Sequence, residues 1–157
     1  MWQKIKPYVI SIAIALGIGG LSALLTRGNM DVYMRINRPP LSPPSWLFGI
    51  VWGILFVLMG ISAALVYKKS YTEPQKTREA LFVYGLQLAV NFFWSIIFFN
   101  LQAYWFAFFW LVFLWILILR MIAKFYAVSP TAAYLQVPYL LWVTFAGYLT
   151  LAIAILN

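Results

Sequence analysis

The sequence predicts an all-α integral membrane protein, one domain over residues 1–157 built as a bundle of five transmembrane helices. Three observations carry that prediction. Of 157 residues, 65% are hydrophobic and only 9% charged, with a mean hydropathy of +0.90, whereas soluble domains carry roughly 25% charged residues. Five stretches reach the roughly 20 mostly apolar residues that a spanning helix needs. The charges sit at the ends of these stretches and form no block, a pattern of membrane orientation that leaves no nucleic-acid partner expected.

The spans run over about 7–26, 46–67, 80–100, 104–123 and 131–156. The first follows Lys4 and Lys6, as a signal peptide would. Its run is long, and Gly28 to Met30 offers no small-residue cleavage pattern, so it reads as a mature helix. The second begins at Trp46, directly after Arg38-Pro39-Pro40-Leu41-Ser42-Pro43-Pro44-Ser45. Proline fixes φ and pushes its predecessor out of the helical region, which makes Pro39 to Pro44 an extended, ordered connector. The whole first loop, 27–45, carries Asp31, Tyr33, Arg35 and Arg38. Structureless connections beyond about 12–15 residues are uncommon and often act as lids, the role expected here with Arg35, Arg38, Pro43 and Pro44 as its parts. The third and fourth spans are joined by a tight hairpin, Leu101 to Ala103. Inside the fifth, Pro138 removes a backbone donor and should kink the helix, freeing the carbonyl of Tyr134.

Five spans alternate the connections between two sides. One side holds Lys4, Lys6, Lys68, Lys69, Lys76, Arg78, Arg120 and Lys124; the other holds only Arg27, Arg35 and Arg38. That bias expects the N-terminus in the cytoplasm and the first loop and C-terminus outside. Helical spans with cytoplasmic positive charge favour an inner or plasma membrane. Trp2, Trp46, Tyr67 and Tyr104 fall where interfacial aromatic rings belong.

The third span shows its inward face most clearly. Gln87, Asn91, Trp94 and Phe98 are spaced by four, three and four residues and so lie within about 60° of one another around a helix. A primary amide turned to lipid would lose its hydrogen bonds at a cost of roughly a few kcal/mol, so this face should point into the bundle. Gly85 and Ala89, opposite, then face outward as a small-residue pair suited to a second protomer. Phe48, Trp52, Leu55 and Met59 form one face of the second span, and Pro138, Trp142, Phe145 and Leu149 one face of the fifth, with Ala146 beside them. Trp52, Asn91 and Trp142 beneath a proline-rich loop read as a small-molecule pocket, apolar with a few polar groups.

Absences narrow the chemistry. With no cysteine and no histidine, there is neither a disulfide framework nor a conventional nucleophile–base pair. No metal site is expected. No ionisable residue falls in the middle of any span, which disfavours ion pumps and proton-coupled carriers. A binder of large, flat, apolar molecules remains.

Three motifs in order and at matching depth, Pro40-Leu41-Ser42-Pro43-Pro44 with Phe48 and Trp52, Gln87-x3-Asn91-x2-Trp94-Ser95, and Pro138-Tyr139-x2-Trp142-x2-Phe145-Ala146-x-Tyr148-Leu149, extend over nearly the whole chain. On these residues the chain resembles the TspO/MBR family, bacterial relatives of the mitochondrial translocator protein, or peripheral benzodiazepine receptor. The resemblance implies a five-helix bundle that binds porphyrins such as protoporphyrin IX, and benzodiazepine or isoquinoline ligands, between the helices under the first loop. By position it implies a pocket of Tyr33, Trp52, Gln87, Asn91, Trp94, Pro138, Trp142, Phe145 and Ala146. It also implies a homodimer through Gly85 and Ala89. Two departures stand out. The family's usual tryptophan between the proline pairs is Leu41 here, and no basic residue follows Tyr148 to complete a sterol-recognition pattern. The looser match Leu65-x-Tyr67-x-Lys69 recurs often by chance, so sterol binding is not expected.

The reading expected is a membrane receptor and handling protein for tetrapyrroles, with no required cofactor and protoporphyrin IX as ligand or substrate. A ring would stack on Trp52 and Trp142, Asn91 would hydrogen-bond it, and Arg35 or Arg38 would meet a propionate. The alternative is light- and oxygen-dependent degradation of protoporphyrin IX, in which Trp52 and Trp142 become the catalytic residues. A third is tetrapyrrole or lipid transport.

Overall fold

Apolar length sets where a helix crosses a bilayer, and the helix continues wherever the flanking residues can hold one. The structure, a computed structural model, describes residues 2–29 and 31–157. Its helices are α1 (Trp2–Thr26), α2 (Val32–Arg35), α3 (Ser45–Tyr67), α4 (Pro74–Ser95), α5 (Tyr104–Val128), α6 (Pro130–Leu135) and α7 (Val137–Leu156). Five units are long and apolar enough to cross a membrane, the last being α6 and α7 together. Among the described residues there are no strands. The chain is an integral, multi-pass membrane protein with the expected five spans.

Three boundaries differ from the apolar runs, each for the same reason. Helix α1 starts at Trp2, ahead of Pro7. Helix α4 starts at Pro74, six residues before the apolar stretch, with proline in its first turn where the absent N–H has no partner to lose. Gln75 donates to Glu79 one turn on (3.1 Å), and Lys76 lies 3.7 Å from Glu73. Helix α5 runs past Ala123 to Val128, and Lys124 meets Glu79 of α4 at 3.6 Å. Charged residues thus extend the helices beyond the apolar layer. The expected fourth loop shrinks to Ser129, whose hydroxyl caps α6 by accepting from the Ala132 N–H (3.4 Å).

Going around the bundle, the spans follow the order first, second, fifth, fourth, third, since α1 packs on α3 and α4, α3 on α6, and α5 on α4, α6 and α7. One core unites Leu55, Met59, Leu88, Leu114, Ile118, Phe125, Tyr139 and Val143. The α1–α3 contact depends on Gly60, where an added Cβ would stand 2.5 Å from the Ile12 Cα. Ser62 donates to the Ala132 carbonyl (2.7 Å) and ties α3 to α6 without exposing either group. The fifth span breaks at Gln136. Pro138 has no N–H for the Tyr134 carbonyl, the Gln136 N–H bonds the Ala133 carbonyl (3.1 Å), and the next helix resumes with Leu140 bonded to Gln136 (3.2 Å). That is the expected kink.

At the other end, Ile96–Asn100 forms a widened turn, with the Leu101 N–H bonded to the Ile96 carbonyl (3.0 Å). The hairpin Leu101 to Ala103 follows, and Gln102 takes the left-handed φ of 52° that so short a reversal demands. Asn100 donates to the Leu25 carbonyl (3.1 Å) and accepts from Asn29 (2.7 Å), closing α1 against this turn.

Candidate functional site

The first loop is an ordered strap. Met30 lies outside the described residues; on either side, a single turn at Arg27–Asn29 and the short α2 bring the chain over the bundle. Helix α2 turns Tyr33 inward to 3% exposure and leaves Arg35 outside, paired with Asp31 at 3.5 Å. The segment from 37 to 44 then runs back to α3. Asn157 holds its start by accepting from the Asn37 N–H (3.1 Å) and donating to the Asn37 carbonyl (2.8 Å). Tyr148 donates to the Pro40 carbonyl and Tyr33 to the Pro43 carbonyl, each at 2.7 Å. The guanidinium of Arg38 sits 4.9 Å above the Tyr33 ring. Leu41 is at the tip, left-handed with φ 70° and 83% exposed. The Leu41 side chain therefore adds nothing to the space beneath the strap.

Below the strap lies a cavity of about 330 Å³, near the lower end of the 300–1,000 Å³ usual for small-molecule sites. Tyr33 roofs it, Phe48, Trp52 and Phe56 come from α3, Asn91 and Trp94 from α4, and Trp142 and Ala146 from α7. Of the expected pocket residues, Tyr33, Trp52, Asn91, Trp94, Trp142 and Ala146 are therefore brought together. Three are not. Gln87 is fully buried one turn from Asn91, accepts from the Tyr139 hydroxyl (2.6 Å) and does not line the cavity. Pro138 is exposed at the start of α7, a full turn short of Trp142. Phe145 is rotated off the wall and stacks on Tyr148 (6.1 Å, 27°). Identical spacing puts residues on one face, but only the neighbouring helix decides which part of that face meets open space.

The aromatic geometry is specific. Trp52 and Trp142 have ring centroids 6.5 Å apart and planes at 87°. A flat ligand can therefore lie parallel to one indole and meet the edge of the other, which replaces the expected stacking on both. Phe48 meets Tyr33 (5.0 Å, 88°) and Trp142 (5.8 Å, 65°), so the roof and the wall form one cluster. The indole N–H groups of Trp94 and Trp142 are sealed from the cavity and have no acceptor among the described residues, an arrangement that costs folding free energy. Asn91 donates to the Tyr139 hydroxyl at 2.7 Å. The arrangement can hold a flat apolar molecule and offer it a polar contact at Asn91; no Asp, Glu, Lys, Arg, His or Cys is among the residues that line it.

One wall was not legible in the spacing of polar residues. Helix α1 contributes Gly19, Gly20, Ser22, Ala23 and Thr26. Its signal is weak: small residues that also suit ordinary helix packing. Ser22 and Thr26, four apart and both buried, mark the inward face, and Ser22 reaches the Phe92 carbonyl at 3.3 Å. The outward pair, Gly85 and Ala89, is exposed as expected, and an added Cβ at Gly85 would meet nothing within 4 Å. Phe82 and Phe93 flank it, 70% and 49% exposed.

Comparison with known proteins gives a consistent result. The model of the TspO/MBR family matches residues 9–156. A tryptophan-rich protein TspO of Chlorobaculum tepidum is 35% identical over 158 aligned positions, covering 100% of this chain and 99% of the relative. One of the same description from Archaeoglobus fulgidus is 33% identical over 156, covering 99% of each. The translocator protein of Bos taurus is 32% identical over 147, covering 91% of this chain and 87% of its own.

Proposed function

The chain belongs to the TspO/MBR family, and from that premise we propose that it is a membrane receptor and handling protein for flat, apolar ligands, with metal-free tetrapyrroles such as protoporphyrin IX foremost. Benzodiazepine and isoquinoline compounds enter the same pocket. The observation that carries this reading is the strap-covered cavity, in which three tryptophans, a buried asparagine and Tyr33 converge on about 330 Å³. A macrocycle lies face-on to one of Trp52 and Trp142 and edge-on to the other. A propionate at the outer rim meets Arg38, the cation nearest Tyr33, while Arg35 is engaged by Asp31. The chain lies in a bacterial inner or plasma membrane with its N-terminus in the cytoplasm, as the eight-to-three bias of basic residues favours. A second copy docks on the Gly85 and Ala89 face.

Titration of the purified protein with protoporphyrin IX, followed by tryptophan quenching, tests the proposal. Saturable binding that weakens in Trp142→Phe combined with Trp52→Phe supports it; unchanged affinity in the double variant refutes it.

A second reading is favoured by one observation: Trp52, Trp142, Phe145 and Tyr148 form a continuous aromatic chain with successive centroids 6.5, 5.7 and 6.1 Å apart. Such a chain suits relay of single electrons and quenching of radicals while molecular oxygen oxidises the photoexcited porphyrin. In this reading Trp52 and Trp142 act catalytically and protoporphyrin IX is consumed. A product that needs light, oxygen and these tryptophans supports degradation; bleaching equal to that of free porphyrin excludes it.

A further inference from the structure

Beneath the cavity, three buried polar side chains form a line. The Asn91 amide nitrogen donates to the Tyr139 hydroxyl (2.7 Å), which donates to the Gln87 Oε1 (2.6 Å). Gln87 is 0% and Tyr139 1% exposed, and the Gln87 Nε2 has no partner among the described residues. Asn91 lines the cavity, and its Oδ1 takes no donor among the described residues yet is not sealed off, so this oxygen faces the open space. In this sense the site offers a ligand a hydrogen-bond acceptor.

The same atoms work in reverse. A hydroxyl donates one proton and also accepts, and a primary amide exchanges donor for acceptor when it turns over. With both amides turned, Gln87 Nε2 donates to Tyr139, Tyr139 donates to Asn91 Oδ1, and the Asn91 N–H₂ faces the cavity. Heavy-atom separations of 2.6 and 2.7 Å serve either direction. Each sense keeps two buried bonds and leaves one atom of Gln87 unpaired, so neither is strongly preferred. We propose that Gln87 and Tyr139 are positioning residues that let Asn91 present either an acceptor or a donor, so that the pocket takes flat apolar ligands bearing either one donor or one acceptor at this depth. The inference rests on the cavity being a ligand site. It explains how one apolar pocket accommodates chemically unlike guests with a single polar contact.

The test uses two flat tricyclic probes of matched outline: carbazole, with an N–H donor, and 9-fluorenone, with a carbonyl acceptor. Both are titrated into the full-length protein in lipid nanodiscs by equilibrium dialysis, with empty nanodiscs subtracted. The unsubstituted protein binds both, with affinities within about threefold of each other, since the two senses differ by less than one buried hydrogen bond. Gln87→Met leaves Tyr139 only Asn91 Oδ1 as acceptor, which turns the Asn91 N–H₂ to the cavity. Carbazole then weakens about tenfold relative to 9-fluorenone, the effect of stranding one buried hydroxyl proton. Tyr139→Phe uncouples Asn91 and returns the ratio to that of the unsubstituted protein. Because both probes meet the same preparation, a loss of folded protein cancels in the ratio.

A merely structural tie between α4 and α7 would weaken both probes equally in Gln87→Met, and that result overturns the proposal. If neither probe saturates the unsubstituted protein, the pocket reading itself fails. A measurement without substitution stands beside these. The Gln87 side-chain N–H₂ proton resonances should move downfield in the 9-fluorenone complex relative to the carbazole complex, as Nε2 gains Tyr139. Identical shifts in both complexes overturn the reversal.

Discussion

Replacing Gly60 with alanine should loosen the pocket from a distance. The new Cβ would stand 2.5 Å from the Ile12 Cα and 2.8 Å from its nitrogen, both backbone atoms that cannot rotate aside. Carbon atoms pack at about 3.5–4.0 Å, so α1 must withdraw from α3 by about 1 Å at this level. Overpacking of this kind costs about 1–3 kcal/mol, and alanine's better helix propensity returns about 1 kcal/mol, leaving a net loss of up to about 2 kcal/mol. Helix α1 yields most readily because only Ala15, Ser22 and Thr26 of it are buried. Two of those three, with Gly19, Gly20 and Ala23, line the cavity, so the same shift should weaken ligand binding. Unfolding in mixed detergent micelles reports the stability change, and protoporphyrin quenching the affinity. Gly85→Ala is the comparison, since its Cβ meets nothing within 4 Å in one chain. It should raise stability by up to about 1 kcal/mol through helix propensity alone, leave the affinity near that of the unsubstituted protein, and disturb only an association of two copies. Full stability and affinity in Gly60→Ala would refute the reasoning.

Three further outcomes follow from single contacts. Ser62→Ala removes the buried bond to the Ala132 carbonyl and should destabilise the fold by about 1–3 kcal/mol, because the carbonyl is left without its donor; detergent unfolding checks it. Tyr148→Phe with Asn157→Ala releases the strap at Pro40 and Asn37 and should speed ligand release by up to about a hundredfold, on the scale of about 1 kcal/mol for each of the bonds lost. Stopped-flow dissociation measures it, and an unchanged off-rate would deny the strap a gating role. Leu41→Gly relieves a left-handed φ of 70° at an exposed position and should raise thermal stability by about 1 kcal/mol, whereas a lower melting temperature would mean that the leucine is held by contacts of its own.

The spans and the inward faces of the third and fifth helices were legible in the sequence because they follow from short-range rules. Lipid demands about 20 apolar residues per crossing, and it drives Gln87, Asn91 and Trp94 to one side of α4. The family motifs, running from Pro40 to Leu149, gave the same architecture. Helix ends were less legible, since hydropathy marks the apolar layer while Pro74, Glu79 and Lys124 continue helices beyond it. Within the site, periodicity grouped Gln87 with Asn91 and Phe145 with Trp142 but could not rank their depth.

The sequence by itself determined that five apolar helices cross a membrane, that a proline-rich connector precedes the second, and that aromatic and amide side chains face inward, because each of these depends on composition and on a repeat of 3.6 residues. Only the tertiary structure decided which of those side chains meet open space. The perpendicular setting of Trp52 and Trp142, the α1 wall and the hydroxyl of Tyr139 between Asn91 and Gln87 all depend on how helices distant in the chain are rotated against one another. That rotation is set by close approaches such as Gly60 on Ile12, which depend on packing shape, and packing shape leaves no periodic trace in a single chain.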